Sequence, residues 1–187
     1  LMMEVLSGPV MIILVIAELA MVWTIAAAVH RINASAATVL FLLYAAINGL
    51  VLSAIFVVYT GADIASAFIA SAAMFGAMSV YGMVTKTDLT RLGSILFMAL
   101  IGLIVASIVN VFMASSELMW IISYAGVAIF CGLTAYDTQR LRYIAVSTAG
   151  DAAMAGRLAI SGALALYLDF INLFLFLLQI MANSRRR

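Results

Sequence analysis

The chain reads as an all-α, polytopic membrane helix bundle, and three observations predict it. Hydrophobic residues make up 67% of the sequence and charged residues only 9%, too few to give a folded chain a surface it can show to water. The mean hydropathy of +1.25 is equally far from the globular range. The apolar residues are gathered into long runs separated by the few charges, and ~20 such residues are what an α-helix needs to cross ~30 Å of hydrocarbon. With 187 residues and short connections, the runs make a single transmembrane helical domain, 1–187.

Six spans are legible, at about 9–29, 35–59, 64–84, 92–114, 118–139 and 159–182. The first apolar run lacks a basic leading region and a small-residue cleavage site, so it is expected to stay as a span rather than to be removed as a signal peptide. The second follows Arg31-Ile32-Asn33. The third is crowded with small residues (Ala65, Ser66, Ala70, Ser71, Ala72, Ala73, Gly76, Ala77), which let helix backbones approach closely inside one bundle. The fourth follows Lys86 and Arg91, the fifth ends in the polar run Thr134-Ala135-Tyr136-Asp137-Thr138-Gln139, and Arg140, Arg142 and Arg157 surround the loop before the sixth. Basic residues collect on the cytoplasmic side of a membrane protein. Loops one, three and five are therefore cytoplasmic, whereas loops two and four hold only Asp63 and Glu117. A spanning last helix puts Arg185, Arg186 and Arg187 outside; a re-entrant one returns them to the cytoplasm.

Several function classes are excluded. The single Cys131 and single His30 offer no spacing for a zinc or iron site, and Cys131 reads as packing. A formal net charge of +1, with no basic face beyond the terminal arginines, excludes nucleic acid as a partner. What remains is acid inside lipid, where each ionisable group costs ~2.5–3.5 kcal/mol at the span centre on insertion scales. Three acids fall in spans: Glu18 in the first, Asp137 near the cytoplasmic end of the fifth, Asp169 well inside the sixth. Asp169 has no charged neighbour in sequence, so another helix must supply its partner. Asn172 and Gln179 follow it at i+3 and i+10, a polar stripe that belongs in a bundle interior.

Two segments, Thr134-Ala135-Tyr136-Asp137-Thr138-Gln139 and Gly162-Ala163-Leu164-Ala165-Leu166-Tyr167-Leu168-Asp169-Phe170-Ile171-Asn172-Leu173-Phe174, resemble the signature of the Bax inhibitor family, the transmembrane Bax-inhibitor-motif proteins. The likeness extends more loosely through His30-Arg31-Ile32-Asn33 and Tyr59-Thr60-Gly61-Ala62, in the pattern of the bacterial members. The resemblance implies a seven-helix fold with the last helix central, whereas six helices are legible. It implies a pH-sensitive calcium leak, with calcium as permeant ion and no cofactor, in a bacterial inner membrane. It also implies roles: Asp137 and Asp169 as the proton-sharing sensor and possible calcium contact, Arg31 as the arginine that latches the pore, and Glu18 as a matching acid. Tyr136, in the polar run of the fifth span, and Asn172, in the polar stripe of the sixth, are expected with Glu18 as supporting polar groups.

Elementary electrostatics agrees with the pairing. Two carboxylates brought close in a low-dielectric site share a proton and titrate as a unit. Protonated, they close on each other; ionised, they repel, seek Arg31, or offer the hard oxygen ligands that Ca²⁺ prefers. Depth is the obstacle: a last helix starting near Gly156 buries Asp169 ~20 Å from its end, while Asp137 is one turn from Arg140. An intramembrane aspartyl protease does not fit, because Asp169 follows Tyr167-Leu168 rather than Gly-x-Gly and the only proline is Pro9. A retinal pump lacks its lysine, as the only one is Lys86. No enzyme activity is expected. The competing reading is a bundle without transport that modulates a membrane protease or cell-death partner. The expected state is a monomer exchanging calcium ions and protons across the bilayer.

Overall fold

The computed structural model describes residues 32–185, and every regular element among them is helical: α1 (Ala34–Leu52), α2 (Ile55–Val58), α3 (Gly61–Val84), α4 (Thr90–Met113), α5 (Ser116–Ser147) and α6 (Ala152–Arg185). Five helices are long and apolar enough to cross a membrane, α1 and α2 counting as one, Ala34–Val58. The expected first span, 9–29, lies outside the described residues.

Each start and stop has a local cause. Asn33 opens α1 by accepting the Ala36 N–H at 2.8 Å, Asp88 opens α4 by accepting from Thr90 N–H at 2.9 Å, and Asp151 opens α6 through Met154 N–H at 2.9 Å. Asn33 and Asp151 are N-terminal caps and Asp88 sits one residue before the cap position Leu89; all three supply acceptors to amides that have no carbonyl one turn back. The hydrogen bonds from Thr90 also hold the exposed Asp88 carboxyl below the usual carboxylate range. Ala114 takes a left-handed φ of 49° and ends α4.

Three boundaries correct the expectation from sequence. The span expected at 35–59 is interrupted at Ser53, whose hydroxyl donates to the Leu50 carbonyl at 2.6 Å, a side-chain bond that bends helices. The fifth helix, expected at 118–139, runs to Ser147, and the sixth, expected at 159–182, starts at Ala152. Hydropathy marks only the length of helix inside hydrocarbon. Arg140, Arg142 and Arg157 end the apolar pattern without ending the helix, because helical hydrogen bonding does not depend on side-chain polarity. The whole of α6 is one unbroken helix of 34 residues, roughly 50 Å at 1.5 Å per residue, long enough to span rather than re-enter.

The chain divides into two units, one formed by the chain up to Thr60 with Ile144–Leu164, the other by Gly61–Tyr143 with the chain from Ala165 on. The second unit holds the core: Leu103, Ile122, Ile129, Phe130, Leu133 and Leu173, with Phe75, Leu96 and Phe176 packed against it. Its large apolar side chains also point outward, Phe112 being 85% exposed, as hydrocarbon requires where lipid replaces water. The third helix buries Ala67 and Ser71 completely, while Ala72 and Gly76 are exposed among the described residues. Small residues thus serve close packing on one face only.

Candidate functional site, an aspartate pair between the last two helices

Packing between α5 and α6 sets the site. The two helices run antiparallel, and four contacts share one register. The Ser123 hydroxyl donates to Gln179 Oε1 at 2.6 Å, Phe176 covers Gly126, the Phe130 and Phe176 rings stack at 6.0 Å, and the Asp137 and Asp169 carboxyl groups come within hydrogen-bonding reach. Asp137 lies ten residues before the end of α5 and Asp169 seventeen after the start of α6, roughly 15 and 26 Å along the helices. The extra length of α5 removes about a third of the expected depth mismatch, and the axial offset shared by the other contacts absorbs the rest.

Asp169 is 4% exposed and its Oδ2 has no hydrogen-bond donor. Such an atom demands an explanation, because burying an unsatisfied polar group costs ~1–3 kcal/mol. The Asp137 carboxyl lies within hydrogen-bonding reach of this side chain. Arg140, one turn beyond Asp137, lies near enough for its charge to act on that carboxylate. Two further buried hydroxyls, Ser79 Oγ on α3 and Thr138 Oγ1 beside Asp137, also lack a partner.

The other named residues fall around the pair. Tyr136 lies over Gly93 of α4. Asn172, one turn beyond Asp169, donates to the Leu168 carbonyl at 2.8 Å. Phe170 packs edge-on against Phe75 and Phe68 of α3, with centroids 5.5 and 5.7 Å away, which holds the α6 turn carrying Asp169. Glu18 and Arg31 lie outside the described residues. No group of three or more histidine, cysteine or acidic residues that could hold a metal ion occurs among the described residues.

Sequence reasoning missed the clamp beyond the pair, towards Arg140 and Arg142. Gln139 is 1% exposed; its Oε1 accepts from Leu89 N–H at 2.9 Å and its Nε2 donates to the Thr87 carbonyl at 2.8 Å. Arg142 donates to the Met83 carbonyl at the end of α3, where cations suit the helix dipole. Gln139 ties α5 to the loop between α3 and α4, and Arg142 ties it to the end of α3. The usable signal was Gln139 itself, an uncharged amide where a helix end facing headgroups carries charge. Gln139→Leu leaves the Leu89 amide and Thr87 carbonyl unpaired and is expected to lower stability by about 1–3 kcal/mol. Thermal unfolding in detergent, followed by circular dichroism, measures it; an unchanged midpoint removes the clamp.

Comparison with known proteins identifies the family. The family model described as inhibitor of apoptosis-promoting Bax1 matches residues 1–186. The inner membrane protein YbhL of Escherichia coli K12 is 52% identical over 173 residues, covering 92% of this chain and 74% of YbhL. An uncharacterized protein of Deinococcus radiodurans is 50% identical with the same coverage, and one of Borreliella burgdorferi is 45% identical over 172 residues, again 92% and 74%. With YbhL an inner membrane protein and five spans in hand, this is a multi-pass protein of a bacterial inner membrane. A match over nearly the whole chain, with half the residues identical to YbhL, carries the conclusion that the chain belongs to the Bax inhibitor family.

Proposed function

We propose that the chain is a pH-sensitive calcium leak pathway, gated by the Asp137–Asp169 pair. The observation that carries this reading is the pair itself, two carboxyl groups from two spans brought together inside an apolar bundle. Insertion disfavours each acid, and close approach ties their titration together. A structural polar contact needs neither cost, since an asparagine pair would hold the helices without titrating.

Protonated, the pair bonds to itself and offers a cation little. Once the proton leaves, the same atoms are charged oxygens that Ca²⁺ accepts as ligands. Two carboxylates supply four oxygens at most, fewer than the six to eight that Ca²⁺ takes. The ion would complete its shell with water, which suits a passing contact better than a permanent site. In the resemblance to the family, Arg31 is the latch that holds the ionised pair.

Calcium flux in proteoliposomes tests the reading. The purified protein is expected to pass Ca²⁺ above the protein-free background, with a rate that rises from pH 5 to pH 8 as the pair loses its proton. A flat rate at background level overturns it and favours a non-transporting regulator of a membrane protease or cell-death partner.

A further inference from the structure

A cleft of about 350 Å³ opens between α4, α5 and α6, lined by Ser107, Asn110, Met119, Ile122, Phe176 and Gln179. It lies beside the turn between α4 and α5, at the end opposite Lys86, Arg91, Arg140 and Arg142, the basic residues that by their charge belong on the cytoplasmic side. The cleft mixes hydroxyl and amide groups with apolar walls. Ser123 has one hydroxyl proton but two acceptors in reach, the Met119 carbonyl at 2.8 Å and Gln179 Oε1 at 2.6 Å. It serves one at a time, so the Gln179 amide always has hydrogen-bonding capacity left over. Polar groups set in this way want water beside them, not acyl chains.

Along α6 the stripe continues inward from the cleft. Gln179, Phe176, Asn172 and Asp169 fall at helical spacings of three and four residues and so share one face. Phe176 is the one apolar member. Its ring lines the inner end of the cleft, stacks on Phe130, and sits so tightly on Gly126 that a Cβ there would stand 2.6 Å from it. Leu133 and Leu173, both buried, extend the same dry layer towards the pair. From Phe176 to Asp169 is seven residues, roughly 10 Å.

We propose that this cleft is a water-filled vestibule for hydrated cations on the side away from the cytoplasm, and that Phe176, seated on Gly126, is the plug separating it from the aspartate pair. The inference rests on the proposed leak pathway for its purpose, but its geometry is testable without calcium. A ring of this kind blocks ions by excluding the water that must accompany them. Gly126 is what lets the ring lie flat against α5, and any larger residue there displaces it.

Accessibility to a thiol reagent decides the matter. In a Cys131→Ala background, which removes the only native thiol, single-cysteine variants Ser107→Cys and Asn172→Cys are treated with a charged, membrane-impermeant methanethiosulfonate from the side away from the cytoplasm. Ser107→Cys is expected to react and Asn172→Cys to stay protected. Adding Phe176→Ala should expose Asn172→Cys to a rate approaching that of Ser107→Cys and raise Ca²⁺ flux several-fold. Phe176→Leu, which keeps an apolar side chain of useful size, should do neither. If Phe176→Ala does not fold, Gly126→Ala displaces the ring with a smaller loss of packing and should give the same exposure. An inert Ser107→Cys marks the cleft as lipid-filled and overturns the vestibule. Reaction of Asn172→Cys with Phe176 intact, or protection that survives its removal, overturns the plug. Absence of flux in the unmodified protein counts against the leak pathway and leaves the labelling pattern to judge the plug.

Discussion

Replacing Gly82 with leucine is expected to abolish a monodisperse fold, and even Gly82→Ala should lower stability by about 1–3 kcal/mol, the usual cost of forcing atoms into a packed interior. The reason is a backbone contact. A Cβ on Gly82 of α3 runs into the carbonyl oxygen of Ala135 on α5, and lies 3.0 Å from both the Ala135 carbonyl carbon and Thr138 Cβ. A side chain could turn aside; a carbonyl in the middle of a helix cannot. The whole of α3 must back away from α5, within a turn of Asp137. The internal control is Gly102 of α4, around which a Cβ meets nothing within 4 Å. There alanine replaces a residue that costs a helix about 0.5–1 kcal/mol, so Gly102→Ala should be neutral or slightly stabilising. Urea or thermal unfolding of the two alanine variants in detergent, side by side, makes the measurement. Equal midpoints for Gly82→Ala and Gly102→Ala would show that α3 and α5 do not meet as described.

That contact also marks where sequence reasoning stops. Spans were legible because hydropathy averages over some twenty residues, so no single side chain decides the outcome. The acids were legible because each one is costly in lipid whatever surrounds it. Register is different in kind. Whether Asp137 meets Asp169 depends on the axial offset between α5 and α6, which is set by Phe176 lying on Gly126 and by Ser123 reaching Gln179. Nothing in the residues 116–147 alone announces that Gly126, rather than Gly132, receives that ring. Depth is hidden for a related reason: the apolar residues end near Gln139, yet α5 continues to Ser147. Gln139 shows the same limit from the polar side. Its two bonds to the Thr87–Leu89 loop cross roughly fifty positions of sequence, and only a folded chain brings them together.

Converting either aspartate to asparagine is expected to abolish the pH response of calcium flux altogether, and the double variant should do little more than either single one. Asparagine keeps the size of a protonated carboxyl and its capacity to bond a neighbour while removing titration. If Asp137 and Asp169 share one proton, losing either partner leaves nothing to share, and the second substitution finds its effect already spent; groups within one network are non-additive in this way. Two independent acids would instead each carry part of the response and the losses would add. The direction follows from the mechanism. In the proposed pathway the protonated pair is the closed state, so the asparagine variants should resemble the unmodified protein at low pH whatever the pH of the assay, with flux low and flat rather than reduced in proportion. The measurement is Ca²⁺ flux from pH 5 to pH 8 for Asp137→Asn, Asp169→Asn and the double variant, each first confirmed as monodisperse in detergent. Asp169 is the more exacting member, because it is buried and its Oδ2 has no hydrogen-bond donor. Additive effects, or a pH response that survives either substitution, would take the pair out of gating and leave it as a polar contact that holds α5 and α6 together.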